Sequence, residues 1–352
     1  MRIALLVAGH RFTGAAAVAE HWCRALQRVG VQAELFFRAE GNLQWRLKGC
    51  SWARPVLVKE KRPKDLLHNL RQIRAIAEDF DAVLSFLPHD HVLALMADLR
   101  RSIPLIRAFR HPNHLRADPF HAALARRCDA ALLPFQTLED RFHRFAPATP
   151  VESIPVGIED RFRPRNLQGM GSPAGTPMLG MVGKMAAGRG FEDAIEILAC
   201  LKQPCRLLLV GHGEAEDGLR KRAEELGLPD SINFVGKQEA RLPELLNSMS
   251  LLLFTAPGSD WGHRVISEAQ SCGIPVVAGA IPGVEDLLRD RQNGFIVRGG
   301  RSAMAAVCRE VLSSKQLRRN IGEGALRSAA DRSFEAIGTR LRIFLERVSG
   351  LS

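Results

Sequence analysis

Residues 178–213 read Met178-Leu-Gly-Met-Val182-Gly-Lys-Met-Ala-Ala-Gly-Arg-Gly190-Phe-Glu-Asp-Ala-Ile-Glu-Ile-Leu-Ala-Cys-Leu201-Lys-Gln-Pro-Cys-Arg206-Leu-Leu-Leu-Val210-Gly-His-Gly213. An apolar run at 178–182 is followed by a glycine-rich turn and by 191–201, where the apolar residues have helical spacing. A second apolar run follows at 206–210. A strand, a connecting helix and a second strand in this order predict two parallel strands of one sheet.

The same alternation extends in both directions along the chain. Downstream it predicts helices at 214–226, 242–248, 264–272 and 334–348 and strands at 232–235, 251–255 and 275–278. Upstream it predicts strands at 2–8, 31–38, 81–87, 104–109 and 130–134, with helices at 15–29, 66–79 and 119–128. The pattern indicates an α/β protein with two Rossmann-like, doubly wound parallel sheets.

A length of 352 residues fits two domains. The uncharged segment 166–177 is rich in Gly, Pro and Ser and is interpreted as a linker, with domains at 1–165 and 178–333. Two such domains would face a central cleft, where a ligand binds at the carboxyl ends of the strands.

Composition excludes several classes of protein. With 46% hydrophobic and 25% charged residues, the chain resembles a globular protein and not a disordered one. The seven cysteines are odd in number and lack a C-x-x-C pair, which favours reduced thiols over disulfides or a metal site. No apolar run is long enough for a transmembrane helix, and the start of the chain favours a β-strand over a signal peptide. We therefore expect a cytoplasmic protein.

The net charge of +11 is concentrated in the first half. Residues 1–165 hold 26 Lys and Arg against 17 Asp and Glu, and the segment 38–74 holds ten cations against three acids. This excess indicates an anionic partner or simply a solvated face. Nucleic acid is disfavoured because the chain has no zinc-finger or RNP motif and no tyrosine.

Two glycine-rich turns are candidate ligand loops. In Gly183-Lys184-Met-Ala-Ala-Gly-Arg189-Gly190, the two cations could neutralise a diphosphate, although the turn is not a Walker A loop and could be purely structural. The turn Gly211-His-Gly213 lets a ligand or a neighbouring backbone approach closely, or is only a tight turn.

The densest group of polar residues is Pro257-Gly-Ser-Asp260-Trp-Gly262-His-Arg-Val-Ile-Ser-Glu268. A loop between a strand and a helix directs backbone N–H groups at an anion. Asp260 and Glu268 could accept hydrogen bonds from sugar or ribose hydroxyls. In the alternative interpretation, Asp260 only caps the helix and Glu268 is a surface residue.

Three other polar groups resemble metal sites but lack a complete ligand set. They are Asp79-Phe-Asp81, His89-Asp-His91 and His111-Pro-Asn-His114. We expect the first at a helix-to-strand junction and the two histidine groups on loops facing the cleft. No metal is predicted.

These motifs together resemble the family-4 retaining glycosyltransferases, which have the GT-B fold. The family's G-R-x-x-x-x-K-G turn is similar to residues 183–190, with Arg and Lys exchanged, and its E-x7-E motif is similar to Asp260 through Glu268. Further similarities are Gly211 and Gly213, Phe234 with Gly236, Gly273-Ile-Pro-Val, Pro282-Gly-Val-Glu285, Asn293-Gly294 and Ile154-Pro-Val-Gly-Ile. The resemblance covers about residues 1–345 and is specific over 178–297.

The resemblance implies sugar transfer, without metal or other cofactor, from a nucleoside-diphosphate sugar to a lipopolysaccharide, glycolipid or polysaccharide acceptor of the cell envelope. Its implied catalytic residues are Asp260, Glu268, Lys184, Arg189 and His111; the donor-binding residues are Gly183, Gly211, Gly213, Gly236, Gly262, His263, Arg264 and Val265; and Gly14 lies in the acceptor loop. It also implies a basic first domain that contacts anionic membrane at the inner surface. The last helix either crosses back to the first domain or packs on its own.

Three departures from the family pattern leave alternatives open. Asp260 stands where the family has Glu, Trp261-Gly262-His263 replaces Gly-Phe-Gly, and Lys184 and Arg189 are exchanged. A non-catalytic nucleotide-sugar-binding relative and a GT-B-fold epimerase or phosphorylase are the alternatives.

Overall fold

The computed structural model describes residues 1–9, 14–109, 115, 118–165, 175–256 and 263–351. They form two compact units, the first from the described residues of 1–157 and 332–351 and the second from those of 158–331. The second unit begins before residue 165 because the Arg165 amide donates to Asn247 Oδ1 at 2.8 Å and its guanidinium pairs with Glu244. Residues 166–174 of the predicted linker lie outside the described residues.

The first unit contains a seven-stranded parallel sheet in the order β3-β2-β1-β4-β5-β6-β7. Its strands are β1 Arg2–Val7, β2 Gln32–Arg38, β3 Ala53–Leu57, β4 Ala82–Ser85, β5 Leu105–Ala108, β6 Ala130–Leu133 and β7 Val151–Ser153. Its helices are α1 Gly14–Arg28, α2 Asn42–Arg46, α3 Pro63–Asp79, α4 Pro88–Met96, α5 Pro119–Arg126 and α6 Glu139–His143. Strand β1 pairs with both β2 and β4, which places the topological switch point at its carboxyl end.

The second unit repeats this plan with a six-stranded parallel sheet in the order β10-β9-β8-β11-β12-β13. Its strands are β8 Met178–Val182, β9 Arg206–Val210, β10 Ile232–Phe234, β11 Leu251–Phe254, β12 Val276–Gly279 and β13 Phe295–Val297. Its helices are α7 Phe191–Cys200, α8 Glu216–Glu225, α9 Leu242–Ser248, α10 Arg264–Ser271, α11 Arg301–Ser313 and α12 Lys315–Ala330. The switch point lies between β8 and β11. Two doubly wound parallel sheets confirm the predicted fold class.

The last helix, α13 (Phe334–Ser349), packs on the first unit against α1. The rings of Phe334 and His21 lie 5.4 Å apart, edge to face. Gly338 lies against the Ala25 carbonyl so closely that a Cβ there would overlap the oxygen. Both ends of the chain therefore contribute to the core of the first unit.

Each sheet is buried on both faces, as parallel sheets are. In β1, Ile3 and Leu5 face the layer of α1 and α13, whereas Ala4 and Leu6 face the layer of α3 and α4. Among the described residues, no helix is both long and apolar enough to cross a bilayer.

Candidate functional site

The loops that follow β8, β9 and β10 and the residue Thr255, directly after β11, lie together at the carboxyl edge of the second sheet. Backbone hydrogen bonds join three of them: the Met185 amide donates to the His212 carbonyl at 3.1 Å, and the Gly211 amide to the Gly236 carbonyl at 2.9 Å. The Thr255 hydroxyl, just after β11, donates to the Gly190 carbonyl at 2.9 Å. The predicted loops thus form one continuous edge at the switch point.

Gly211 and Gly213 make the close approach of two loops possible. A Cβ at Gly211 would overlap the Gly183 carbonyl oxygen, and one at Gly213 would overlap the Met185 carbonyl oxygen. Gly211 also has a φ of 144°, which side chains rarely tolerate. These glycines are therefore required for the packing of the loops, whatever else they contact.

Of the two cations of the β8–α7 loop, Lys184 is exposed and Arg189 is half-buried. The Lys184 ammonium lies 2.9 Å from Oε2 and 3.1 Å from Oε1 of Glu214, on the neighbouring loop. The hydrogen bond from Lys184 lowers the pKa of the Glu214 carboxyl below its ordinary value. The edge thus carries two cations, and the first of them is paired with the carboxylate of Glu214.

Helix α10 brings Glu268 into the interior of the second unit. Only 4% of Glu268 is exposed, and its Oε1 lies 3.1 Å from Nε of Arg264. The alternative that Glu268 is a surface residue is therefore wrong. His263 precedes the helix with φ 43°, and its Nε2 lies 3.0 Å from the Pro282 carbonyl oxygen. Val265 is half-buried in the first turn.

Several predicted site residues lie outside the described residues. They are Asp260, Gly262 and His111, so their roles stay predictions. Gly14 is described as the first residue of α1, and residues 10–13 before it are not. The described residues nearest to them in the sequence include Thr255, directly after β11, and Phe109, directly after β5.

A cavity of about 430 Å³ opens at the same edge of the second sheet. Thr255, Ala280, Val297, Gly300 and Arg301 line it. It lies where β11, β12 and β13 end, beside the loop of Gly190. Its volume is within the range of small-molecule sites.

The expectation for His89-Asp-His91 is wrong. These residues form the first turn of α4, and Asp90 and His91 are fully buried instead of facing a cleft. Asp90 accepts hydrogen bonds from the amides of Ala8 at 2.6 Å and Leu87 at 2.9 Å. Burial raises the pKa of Asp90 to about 7. Asp90 therefore ties the end of β1 to the start of α4.

A buried arginine lies beside this pair. Arg107 on β5 is fully buried, and its Cζ lies 4.5 Å from the centre of the Phe109 ring. His91 Nδ1 lies 2.9 Å from Ser85 Oγ, and burial, with the charge of Arg107, lowers the pKa of His91 to about 3. The sequence pattern did not single out Arg107, because one charge within an apolar strand carries no local signal of burial.

Within the described part of the chain, no group of three His, Cys, Asp or Glu residues is arranged to hold a metal ion. The Asp79-Phe-Asp81 group has a structural role: Asp81 accepts from the Arg2 amide at 2.6 Å, and Asp79 pairs with the Arg2 guanidinium.

Two models of protein families together match residues 12–328 of this chain. The model of "Glycosyl transferases group 1" matches residues 162–328, and that of "Glycosyltransferase Family 4" matches residues 12–162. The chain belongs to glycosyltransferase family 4. The motifs quoted from the sequence therefore identified the family correctly.

Named members of the family share limited identity with this chain. The lipopolysaccharide core biosynthesis glycosyltransferase LpsE of Rhizobium meliloti is 29% identical over 153 residues, 43% of this chain and 44% of LpsE. The N-acetyl-α-D-glucosaminyl L-malate synthase of Bacillus anthracis is 28% identical over 140 residues, 39% of this chain and 36% of that protein. The chain thus spans less than half the length of each relative.

The fold is shared over almost the full length with a solved structure. Anabaena Alr3699/HepE, crystallised in complex with UDP, superposes with a TM-score of 0.85 at 20% identity, covering 99% of this chain and 100% of that one. The predicted GT-B fold of this member of family 4 is thereby confirmed.

Proposed function

We propose that this chain transfers a sugar, with retention of anomeric configuration, from a nucleoside-diphosphate sugar to an acceptor of the cell envelope. The observation that carries the proposal is the joining of the loops after β8, β9 and β10 with Thr255 after β11, where Lys184 and Arg189 lie on the first loop and Glu268 is buried on helix α10. Family membership and the UDP bound to the Anabaena neighbour support it.

Each residue has a role that its chemistry suits. Glu268, whose carboxylate accepts hydrogen bonds, would hold the ribose hydroxyls, and Asp260 the hydroxyls of the sugar. Lys184 and Arg189, with the amides of 262–264, would bind the diphosphate. His111 would contact the transferred sugar, and Gly14 would border the acceptor.

In the reaction, the bond between the anomeric carbon and the diphosphate oxygen breaks. The acceptor hydroxyl oxygen bonds to the same face of that carbon, and its proton leaves with the nucleoside diphosphate. Charge develops on the leaving oxygen, and the positive charges of Lys184 and Arg189 stabilise it. Because these cations supply positive charge at the diphosphate, we propose a reaction that requires no metal or other cofactor.

The acceptor is proposed as lipopolysaccharide or a related glycolipid or polysaccharide. The named function of LpsE, lipopolysaccharide core biosynthesis, supports this class. The excess of positive charge in residues 1–165 suits an acceptor that carries phosphate or lies in an anionic surface.

The exposed side chains of helix α3 support a peripheral contact of the protein with the inner surface of an anionic membrane. Lys64, Leu67, Arg71 and Arg74 recur at helical spacing and are all exposed, with 53% of Leu67 accessible. Each cation near anionic lipid contributes about 1 kcal/mol. Nearby in the chain, Trp45 is 78% exposed.

Thermal unfolding in the presence of UDP, GDP, ADP, CDP or TDP, with and without EDTA, tests the donor site. Ligand at about 100 times its Kd stabilises the folded state by about 2.7 kcal/mol. One diphosphate should raise the Tm well above the others and should do so equally with EDTA. If none raises it, the proposed donor site is wrong.

Cosedimentation with vesicles tests the membrane contact. At low salt the protein should bind vesicles with anionic lipid but not zwitterionic ones, and Lys64→Glu with Arg71→Glu should abolish binding. The control variant, Lys221→Glu with Lys315→Glu, changes the charge equally on exposed positions of the second unit and should still bind. Equal loss in both variants would refute a role for α3.

A further inference from the structure

Lys184 is already bound to a carboxylate in this structure. Its Nζ contacts both oxygens of Glu214, at 2.9 Å and 3.1 Å. Both side chains are more than half exposed, at 55% and 65%. A cation proposed to bind the diphosphate therefore has an anionic partner before any donor arrives.

The backbone holds the two residues in reach of each other. The Met185 amide donates to the His212 carbonyl at 3.1 Å, and the Ala215 amide donates to the Met185 carbonyl at 3.0 Å. These bonds flank Lys184 on one loop and Glu214 on the other. Separation of the pair therefore needs only rotation of exposed side chains and no movement of the loops.

Glu214 has a different partner from Glu216, the next acidic residue along the chain. Glu216, two residues further, pairs with Arg220 at 2.8 Å within helix α8. Glu214 is not part of that helix and directs its carboxylate across to the neighbouring loop. Removal of one carboxylate can therefore be compared with removal of the other.

We propose, on the basis of the function proposed above, that Glu214 occupies the diphosphate position on Lys184 while the site is empty and thereby lowers the affinity for a charged nucleoside diphosphate but not for an uncharged nucleoside. An exposed ion pair is weak, so a diphosphate with several negative charges displaces the carboxylate. The displaced carboxylate remains close and repels the bound anion. An uncharged nucleoside does not compete for Lys184 and experiences neither effect.

The same contact acts on the product. After transfer, the nucleoside diphosphate competes with Glu214 for the ammonium of Lys184. Recapture of Lys184 by Glu214 therefore accelerates departure of the diphosphate. Removal of the carboxylate charge should strengthen binding mainly by lowering the dissociation rate.

Titration calorimetry and stopped-flow displacement with UDP and uridine test this on the full chain, as wild type, Glu214→Gln and the control Glu216→Gln. Glu214→Gln should bind UDP about 2–5-fold more tightly, as expected for the loss of an exposed ion pair, and release it more slowly by a similar factor. Its affinity for uridine should not change. Glu216→Gln should match the wild type with both ligands.

The outcomes separate this inference from the proposed function. If Glu214→Gln binds UDP as the wild type does, or more weakly, Glu214 does not compete with the diphosphate. An equal gain for uridine would also overturn the inference, because charge would not be the cause. If none of the five diphosphates stabilises the wild type in the thermal unfolding test, the proposed function is itself wrong and this inference falls with it.

Discussion

Gly338 offers a test of how α13 packs on the first unit, because two physical effects oppose each other there. In an isolated helix, replacement of Gly by Ala stabilises by about 0.5–1 kcal/mol. At Gly338, however, a Cβ would overlap the Ala25 carbonyl oxygen, with the carbonyl carbon at 2.8 Å and Val29 Cγ1 at 3.1 Å. The neighbouring atom is backbone of α1, which cannot rotate away.

Overpacking of this kind costs about 1–3 kcal/mol, and a backbone neighbour places the cost toward the upper end. We therefore expect Gly338→Ala to lower the free energy of unfolding by about 1–2 kcal/mol after the gain in helix propensity is subtracted. Gly218 in α8 is the matched control, because a Cβ there meets no atom within 4 Å. Gly218→Ala should raise the free energy of unfolding by about 0.5–1 kcal/mol.

Urea unfolding provides the measurement, with tryptophan fluorescence and circular dichroism recorded together. The described tryptophans, Trp22, Trp45 and Trp52, all belong to the first unit, and Trp22 is fully buried in the core cluster that contains Ile337 and Leu341 of α13, so tryptophan fluorescence reports on this unit. Circular dichroism reports on both units. A Gly338→Ala protein as stable as the wild type, or more stable, would refute the close contact between α1 and α13.

Three further predictions concern the site and the buried polar group. Lys184→Ala and Arg189→Ala should each lower sugar-transfer turnover about a hundredfold, as expected from loss of ~3 kcal/mol of transition-state stabilisation; full turnover in both would contradict their assignment. Gly211→Ala should weaken diphosphate binding in calorimetry at least about tenfold, because its Cβ separates two loops; unchanged affinity would show that loop packing is not needed. Asp90 has a pKa raised from 3.8 to about 7, so between these pH values the folded protein binds more protons than the unfolded chain. Protonation of Asp90 therefore adds to the free energy of unfolding at low pH, and this stabilisation is lost as the pH rises to about 7. Relative to Asp90→Asn, the wild type should therefore gain about 1 kcal/mol per pH unit between pH 7 and pH 5 in urea unfolding; a difference independent of pH would exclude this.

The strands that the sequence predicted well are those buried on both sides. Runs such as 206–210 and 251–255 match β9 and β11 closely, because their apolar character is continuous. Strand β3 was not predicted. It contains Arg54 and Pro55, both exposed, and it pairs with β2 on one side only. An edge strand need not be apolar throughout, so its pattern carries little signal.

For the site, glycine and charge were visible in the sequence, but burial was not. The loops of Gly183 and Gly211 were placed correctly because turn chemistry is local. The spacing of Asp260 and Glu268 in the sequence is equally compatible with a surface position for Glu268, and only the packing of α10 shows that Glu268 is buried. Asp90 was misplaced because its partner, the Ala8 amide, lies far away in the sequence. Long-range hydrogen bonds leave no trace in a local pattern.

The position of α13 has a consequence for synthesis of the protein. The core of the first unit includes Leu341 and Phe344 of α13, which cover α1. The ribosome synthesises roughly 175 residues of the second unit after residue 157 and before it reaches α13. At 5–20 residues per second, a ribosome takes roughly 10–35 s to cross that interval. Meanwhile the nascent chain exposes the apolar side of α1 around Leu26, a surface that a chaperone would recognise. The second unit, by contrast, contains all of its strands and helices before α13 is synthesised, so its folding does not depend on the end of the chain.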